Sequence, residues 1–506
     1  MSRPIARALL ALCLPFGSVF AQAPAAAPDA APANAKPFSL EDALALALKK
    51  NFDLQIQAFA VENAKDTVSI QEAGFDPTIT ANITRSLSQS ASTTSRLDGT
   101  ATTGPRNDNT QMRVGAQLPR IPQTNGTLSI TTNVTRGGTN SVNALVNPSY
   151  TNSISANLNQ PLLRDAGKKA ANASLDRARL GLNIANLNYK SRVLTLIYDT
   201  EIAYYNLVTA RETLRIRRLT LEYNQKFLDE NKARRTTGVA TDLDVLSAEV
   251  QVANSRRGVI QAEQSVSDAE DRLLNLINLP DFDGRIGPVA FDEYKAGPQT
   301  FAQSYKRARE YYPDTLSAAE QIRQLEIDLE TARRNRKADL DLIAGLGYSG
   351  RATNEGYQKA ISNLPSDHGN NWNLGLNYSM PWGQHADKAR YRIAQSNLSS
   401  QKTRLEQLEQ NLLVNVRTSV RAVESNRAAV EIASKATELA ARQYDQQKAR
   451  FDAGLSTSRL VLLAQDDLET ARFQELSARL ALRRAVAELQ RLEGSSLERF
   501  GVAPGR

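Results

Sequence analysis

The chain has 506 residues, 62 Lys and Arg against 54 Asp and Glu, a formal net charge of +8, one cysteine and two histidines. That composition excludes a disulfide framework and leaves a zinc site almost no ligand set. Charges are interspersed rather than blocked, no basic run is interleaved with aromatics, and no Gly-rich loop ends in Gly-Lys-Ser/Thr, so nucleic-acid binding and ATP hydrolysis are excluded too.

Residues 1–21 read as an export signal. Arg3 and Arg7 form its positive region and Ala8 to Phe20 its apolar region, which is too short to span a bilayer and is interrupted by Pro15 and Gly17. Val19-Phe20-Ala21 or Ala21-Gln22-Ala23 supplies the small-residue cleavage site. The lone Cys13 lies inside this signal, with Leu12 before it where a lipidation site has a small residue, so the mature chain carries no thiol. Residues 22–37, rich in Ala and Pro, read as a linker. No later segment has the ~20 apolar residues of a membrane helix, so a membrane crossing would have to use strands.

A first repeat is expected over 38–280. Its opening helix, 38–73, starts at Ser39 with Glu41 and Asp42 at the positive end of the dipole, shows a loose apolar face of Leu44, Leu48, Ile56 and Val61, and ends at Gly74. Strict alternation follows. Phe75, Pro77, Ile79, Ala81, Ile83 and Leu87 interleave with Asp76, Thr78, Thr80, Asn82, Thr84 and Ser86, with Arg85 as the exception. Period two with small polar partners predicts a strand with one apolar and one wet face. Similar patterns occur at Met112 to Leu118, Leu128 to Val134 and Ile154 to Leu158, with long loops at 89–110 and 137–149 and a short one from Leu118 to Gly126. Residues 162–277 predict a helical hairpin broken only at Gly238. Its first arm, 165–235, would be about 106 Å long.

Pro280, Gly284, Gly287, Pro288, Gly297 and Pro298 mark a linker over 281–298. The second repeat, 299–493, replays the order. Helix 299–337 carries Tyr312-Pro313-Asp314 where the first has Asn51-Phe52-Asp53. Strands follow at Leu340 to Tyr348 and Trp372 to Met380, and Met380-Pro381-Trp382-Gly383 opens a helix as Gln160-Pro161-Leu162-Leu163 did. Leu398, Leu405 and Leu412, with Leu408 between, give that arm a coiled-coil seam. Gly454 turns the chain into a last arm ending at Leu492, and 494–506 remain as a tail.

The two hairpin turns repeat in sequence. Lys232-Ala233-Arg234 before Gly238-Val239-Ala240-Thr241 returns as Lys448-Ala449-Arg450 before Gly454-Leu455-Ser456-Thr457. The expected fold class is therefore mainly α with membrane β: a duplicated strand pair plus long helical hairpin. A sheet in lipid must close, and bacterial barrels need about eight strands or more. Four firm strands and a weaker pair at 112–134 fall short, so copies must share one barrel and one periplasmic α-barrel, with twelve strands from three copies, or eighteen if the weaker pair contributes. Trp372 and Tyr378 are expected at the membrane interface, while Trp382 suits that role or packing at the helix start equally. His368 and His385 are isolated, and Asp339 with Asp341 reads as a solvated rim, so no catalytic, cofactor or metal residue is assigned.

With Phe75-Asp76-Pro77, Gln160-Pro161-Leu162, the two Gly-apolar-small-Thr turns and the duplicated element order, the chain resembles the TolC-like outer-membrane efflux protein family over about 38–495. The resemblance implies a homotrimer in the outer membrane lipid with a twelve-strand barrel and a periplasmic extension. It implies a passive conduit, not an enzyme, that works with a periplasmic adaptor protein and an inner-membrane transporter in efflux or type I secretion. It assigns Gly238, Val239, Ala240, Thr241, Gly454, Leu455, Ser456 and Thr457 to adaptor-docking tips, where Thr241 and Asp244 also cap the returning helix. Near the periplasmic constriction Asp244 matches a family carboxylate, Leu460 and Leu463 replace two others, and Ser456 replaces a basic residue. The expectation is a mostly apolar constriction, with Asp466 and Asp467 about one turn farther supplying some negative field. The competing reading is a non-pore periplasmic coiled-coil scaffold, which would have no use for alternating strands.

Overall fold

A computed structural model describes residues 37–91, 103–141, 144–279, 286–291, 300–353, 356–364 and 369–499. The export signal, residues 22–36 of the linker, His368 and residues 500–506 lie outside them. No helix among the described residues is long and apolar enough to cross a membrane.

The first half runs α1 (Leu40–Lys50), α2 (Phe52–Ala73), β1 (Thr78–Ala91), β2 (Thr103–Leu118), β3 (Thr127–Thr139), β4 (Ser149–Pro161), α3 (Lys168–Thr236) and α4 (Asp242–Ile277). The second runs α5 (Phe301–Tyr311), α6 (Pro313–Arg334), β5 (Asp339–Thr353), α7 (Gly356–Ser362), β6 (Gly369–Ser379), α8 (His385–Asp452), α9 (Ser458–Glu493) and α10 (Ser495–Arg499).

Each opening helix proves to be two, which corrects the single helices expected over 38–73 and 299–337. Asn51 leaves the helix in an extended conformation and caps α2, its Oδ1 accepting from the Leu54 amide at 3.1 Å while its Nδ2 donates to the Leu276 carbonyl at 3.1 Å. In the second half Pro313 does the same work without a side-chain cap, because a proline at the first helical position has no N–H to satisfy and pushes Tyr312 into extended backbone.

The strands form one antiparallel sheet in the order β1-β2-β3-β4-β5-β6. Residues 112–118 and 127–134 are part of it. β2 pairs with β1 from Gln117 opposite Thr78, and with β3 from Leu118 opposite Leu128. The chain therefore contributes six strands, not the four the resemblance implies. Residues 89–91 and 103–110 of the expected loop 89–110 are strand, as are 137–139 and 149 of the expected loop 137–149, and α7 lies in what was expected to be loop between β5 and β6. The hairpin turn between β2 and β3 is anchored where sheet meets helix: Gln160 Nε2 donates to the Thr124 carbonyl at 3.0 Å, Asn125 Nδ2 to Asp165 at 2.8 Å and Arg120 Nη1 to Ala171 at 3.1 Å.

Register sorts the side chains cleanly. One face carries Ile79, Ala81 and Ile83 on β1, Val114 and Met112 on β2, Ile130 and Val134 on β3, Ile154 and Leu158 on β4, Leu346 on β5 and Trp372, Leu374, Leu376 and Tyr378 on β6. The other carries mainly Thr, Ser, Asn and Gly, with Arg113, Asp339, Asp341, Ile343 and Arg351 among them, and Asn371 and Asn373 lie across Gly347 and Gly345. Trp372 and Tyr378 are thus on the apolar face, whereas Trp382 is fully exposed just before α8 and packs on nothing in this chain.

Helices α3 and α8, of 69 and 68 residues, each return through a 36-residue partner. The hairpins lie side by side, α3 against α9, with α2 and α6 packed along the strand-proximal half of α3. Two apolar cores sit midway along: one joins α1 (Leu44), the middle of α3 (Ile197, Tyr204, Tyr205, Leu207) and the end of α4 (Leu273, Ile277), the other joins α5, α8 and α9 through Ala308, Val416 and Leu492. Leu497 of α10 is buried in the first core, so the start of the expected tail is docked.

Candidate functional site at the hairpin tips

Each hairpin turns through a glycine in the left-handed region, Gly238 at φ +78° and Gly454 at φ +74°. A β-carbon on either would meet no atom, so backbone conformation rather than space demands glycine there. The turns close alike: the amide after each glycine donates back to the ending helix, Val239 to the Arg234 carbonyl at 2.9 Å and Leu455 to Arg450 at 2.8 Å.

The caps differ. Thr241 Oγ1 accepts from the Asp244 amide at 3.2 Å while Asp244 Oδ2 accepts from the Thr241 amide at 3.0 Å, a reciprocal box. Hydrogen bonds from the Thr241 side chain, then from its backbone, hold the Asp244 carboxyl below the usual carboxylate range. Thr457 makes no side-chain cap; its neighbour Ser456 instead donates to Gln447 Oε1 at 3.3 Å.

The tips are tied together by residues that sequence reasoning passed over. Arg234 lies 4.1 Å over the Phe451 ring, donates to the Phe451 carbonyl at 3.3 Å and pairs with Asp452 at 3.3 Å. Buried Asn231 accepts from Ser458 Oγ at 3.2 Å. Beneath them Phe227, Leu228, Val245, Ala248, Val252, Phe451 and Val461 form a third apolar core. Arg234 stands inside the repeated Lys-Ala-Arg triplet, which was the available signal, whereas nothing local marks Asn231.

Around this core the tip is apolar outward. Val239 and Leu455 are 74% and 73% exposed at the two turns, Leu243 and Leu246 are exposed on α4, and Leu460 and Leu463 on α9. Asp244 is occupied by its cap rather than presented as a free charge. One stretch beyond, Gln251 Nε2 donates to Asp466 at 3.0 Å, and burial, followed by the neighbouring Asp467 charge, pushes the Asp466 carboxyl up. The tips thus offer apolar side chains on a stiff turn, with Asp244 held in its cap, Asp466 set back, Arg235 paired with Asp242, and Arg459 exposed at the start of α9. Among the described residues no cluster could hold a metal ion.

A sequence model of the family described as "Outer membrane efflux protein" matches residues 116–279 and 304–495. The pyoverdine export outer membrane protein OpmQ of Pseudomonas aeruginosa is 26% identical over 316 residues, 61% of this chain and 64% of that protein. The outer membrane protein TolC of Escherichia coli is 24% identical over 329 residues, 60% of this chain and 64% of that one. These matches thus span just under two thirds of each relative's length. Among solved structures, the outer-membrane channel OprN superposes with a TM-score of 0.67 at 16% identity, covering 90% of this chain and 89% of that one. The Campylobacter jejuni CmeC outer membrane channel gives 0.66 at 16% identity, over 90% and 85%. With both repeats matched by the family model over more than half the sequence, the chain belongs to the outer membrane efflux protein family.

Proposed function

We propose that three copies of this chain close an eighteen-strand barrel in the outer membrane and a helical duct in the periplasm, together a passive exit channel of an efflux or type I secretion apparatus. The observation that carries this is the six-strand sheet, apolar on one face and Asn/Ser/Thr-rich on the other, with free edges at β1 and β6. Open edges leave N–H and C=O groups unpaired, which hydrocarbon does not tolerate, so β1 of one copy must meet β6 of the next. The trimer is the count that the family resemblance implies.

The tips are read as the docking surface of a periplasmic adaptor, and an inner-membrane transporter supplies the energy. Exposed Val239 and Leu455 on glycine-fixed turns support this, since a partner's helices can bury them without reordering the turn. The constriction is assigned to Leu460, Leu463 and the start of α4 at Asp244, closing by packing and dewetting rather than by a ring of free carboxylates. The division into a signal, a linker, two repeats and a tail goes with this reading.

Planar-bilayer recording of the purified protein tests it. A trimer that conducts, and whose cation selectivity rises when Leu460 and Leu463 are changed to Asp, supports the proposal. Strong cation block in the unaltered channel, lost on substitution of Asp466 and Asp467 alone, would move the constriction to those carboxylates. A freely soluble, non-conducting elongated protein would favour the coiled-coil scaffold instead.

A further inference from the structure

The apolar face of the sheet is almost free of charge. Among its described residues the charged side chains are Arg85 on β1, Arg106 and Asp108 on β2 and Arg136 on β3, and all four gather at one end. Arg85, Thr110, Arg136 and Tyr150 share one cross-strand row, with Leu87 and Asp108 one row on and Arg106 beyond. This is the end away from the long helical hairpins. Arg136 is nine residues along β3 from Thr127. At about 3.3 Å per residue and a tilt of about 40° that is a climb of roughly 23 Å, close to the ~25 Å apolar band of such barrels. Charge facing lipid costs about 2–4 kcal/mol at the midplane and about 0–1 at the interface, so the cluster sits where it is tolerated. Tyr150, edge-on to Tyr357 of α7 at 4.9 Å, marks the same level with aromatics.

The cluster is unbalanced. Arg85 binds Asp108 in a fork, Nε to Oδ1 at 3.0 Å and Nη2 to Oδ2 at 2.7 Å. Neither Arg106 nor Arg136 has a carboxylate within ion-pair distance among the described residues, though Asp108 acts on both from farther off, so three guanidinium groups share one carboxylate at the outer edge of the lipid-facing wall. The planar fork of arginine matches phosphate oxygens bidentately and pays less for leaving water than lysine does.

We propose that Arg106 and Arg136, with Arg85 held beside them by Asp108, form a binding site for the phosphate groups of an outer-leaflet glycolipid of the lipid A class. A phosphate between Arg106 and Arg136 would complete the charge balance that Asp108, one carboxylate among three arginines, begins. Acyl chains of the same lipid would then lie down the apolar strip of Met112, Val134 and Ile130. The site is contained within one chain and does not depend on the number of copies in the barrel.

The test titrates the full-length, detergent-purified protein with bisphosphorylated lipid A, with the same lipid lacking both phosphates, and with inorganic phosphate, counting retained lipid by native mass spectrometry. The expected result is at least tenfold tighter retention of the phosphorylated lipid, no competition from inorganic phosphate at equal concentration, loss of the tenfold preference in R106Q/R136Q, and tighter binding in D108N, which frees Arg85. Equal retention of both lipids, or an unchanged preference in R106Q/R136Q, would overturn the proposal. Full competition by inorganic phosphate would make this a free-anion site and would also overturn it. If R106Q/R136Q does not assemble, the two-lipid comparison on the unaltered protein decides the matter.

Discussion

At the scale of single residues, the two tips show how one turn geometry is stabilised unequally. Gly238 and Gly454 adopt the same conformation, but only Thr241 forms a reciprocal cap. Thr241→Ala should therefore cost about 1 kcal/mol of local stability at the start of α4. Thr457→Ala should cost only a few tenths at the start of α9, because no capping bond is lost. Amide hydrogen exchange at residues 242–248 and 458–464 checks the contrast, and equal losses at both sites would refute it. Asp466 gives a pH effect of definite sign. Its folded carboxyl is pushed up by burial and Asp467, so the native state binds its proton more tightly than the unfolded chain does. The tip should lose stability as pH rises from the ordinary aspartate value through the raised folded one. D466N keeps the acceptor for Gln251 and should protect α9 amides better than the parent at neutral pH, with the difference gone in acid. Weaker protection in D466N at neutral pH would show that the charge stabilises the tip.

At the scale of elements, the sheet has two strands more than the four that the resemblance implies, and β2 with β3 is the hairpin that the sequence left in doubt. Strand β1 runs away from the helices and β4 runs back, so excising the hairpin between them leaves two antiparallel neighbours. Barrel diameter grows about linearly with strand number. Removing β2 and β3 should therefore shrink the lumen to roughly two thirds of its width. Exclusion of graded polyethylene glycols added from the external side would measure it, and an unchanged cut-off would mean that the hairpin does not line the wall. The period-two pattern made β1, β4, β5 and β6 legible, but Arg106, Asp108 and Arg136 break the alternation and hid the true length of β2 and β3. Those three charges are tolerable because they lie at the rim, and Arg113 because it faces the polar side, where it donates to Asn133 at 2.7 Å. Helix breaks were harder still. Asn51 is a favoured cap, but an isolated Asn inside a helical pattern does not by itself mark a break, and the bond from its side chain to the Leu276 carbonyl, far along the chain, is not visible in the sequence. The tip glycines were legible because φ alone requires them, whereas the Asn231–Ser458 contact depends on two hairpins meeting and has no local signature.

At the scale of the whole molecule, duplication explains both the stiffness and the incompleteness. Each half supplies helices that pack along its own hairpin, and the cores around Tyr205 and Val416 fix the hairpins near their middles. Arg211 reinforces the first core by donating to the Ile286 carbonyl at 2.6 Å while pairing with Glu270. Replacing Tyr205 by Ala should cost about 3–5 kcal/mol, the range for truncating a buried aromatic. The loss should appear as a lower assembly temperature rather than an altered pore, and a variant of parental thermal stability would contradict this core assignment. None of these cores supplies partners for the outer edges of β1 and β6, so the single chain is folded but not closed.

Cryo-electron microscopy of the purified full-length protein in lipid nanodiscs tests that claim most directly. The account predicts three chains around one axis, a continuous wall of eighteen strands, and β1 of each copy hydrogen-bonded to β6 of its neighbour. A wall of twelve strands with the β2–β3 hairpin folded away from it, or an isolated chain with both edges open, would contradict it.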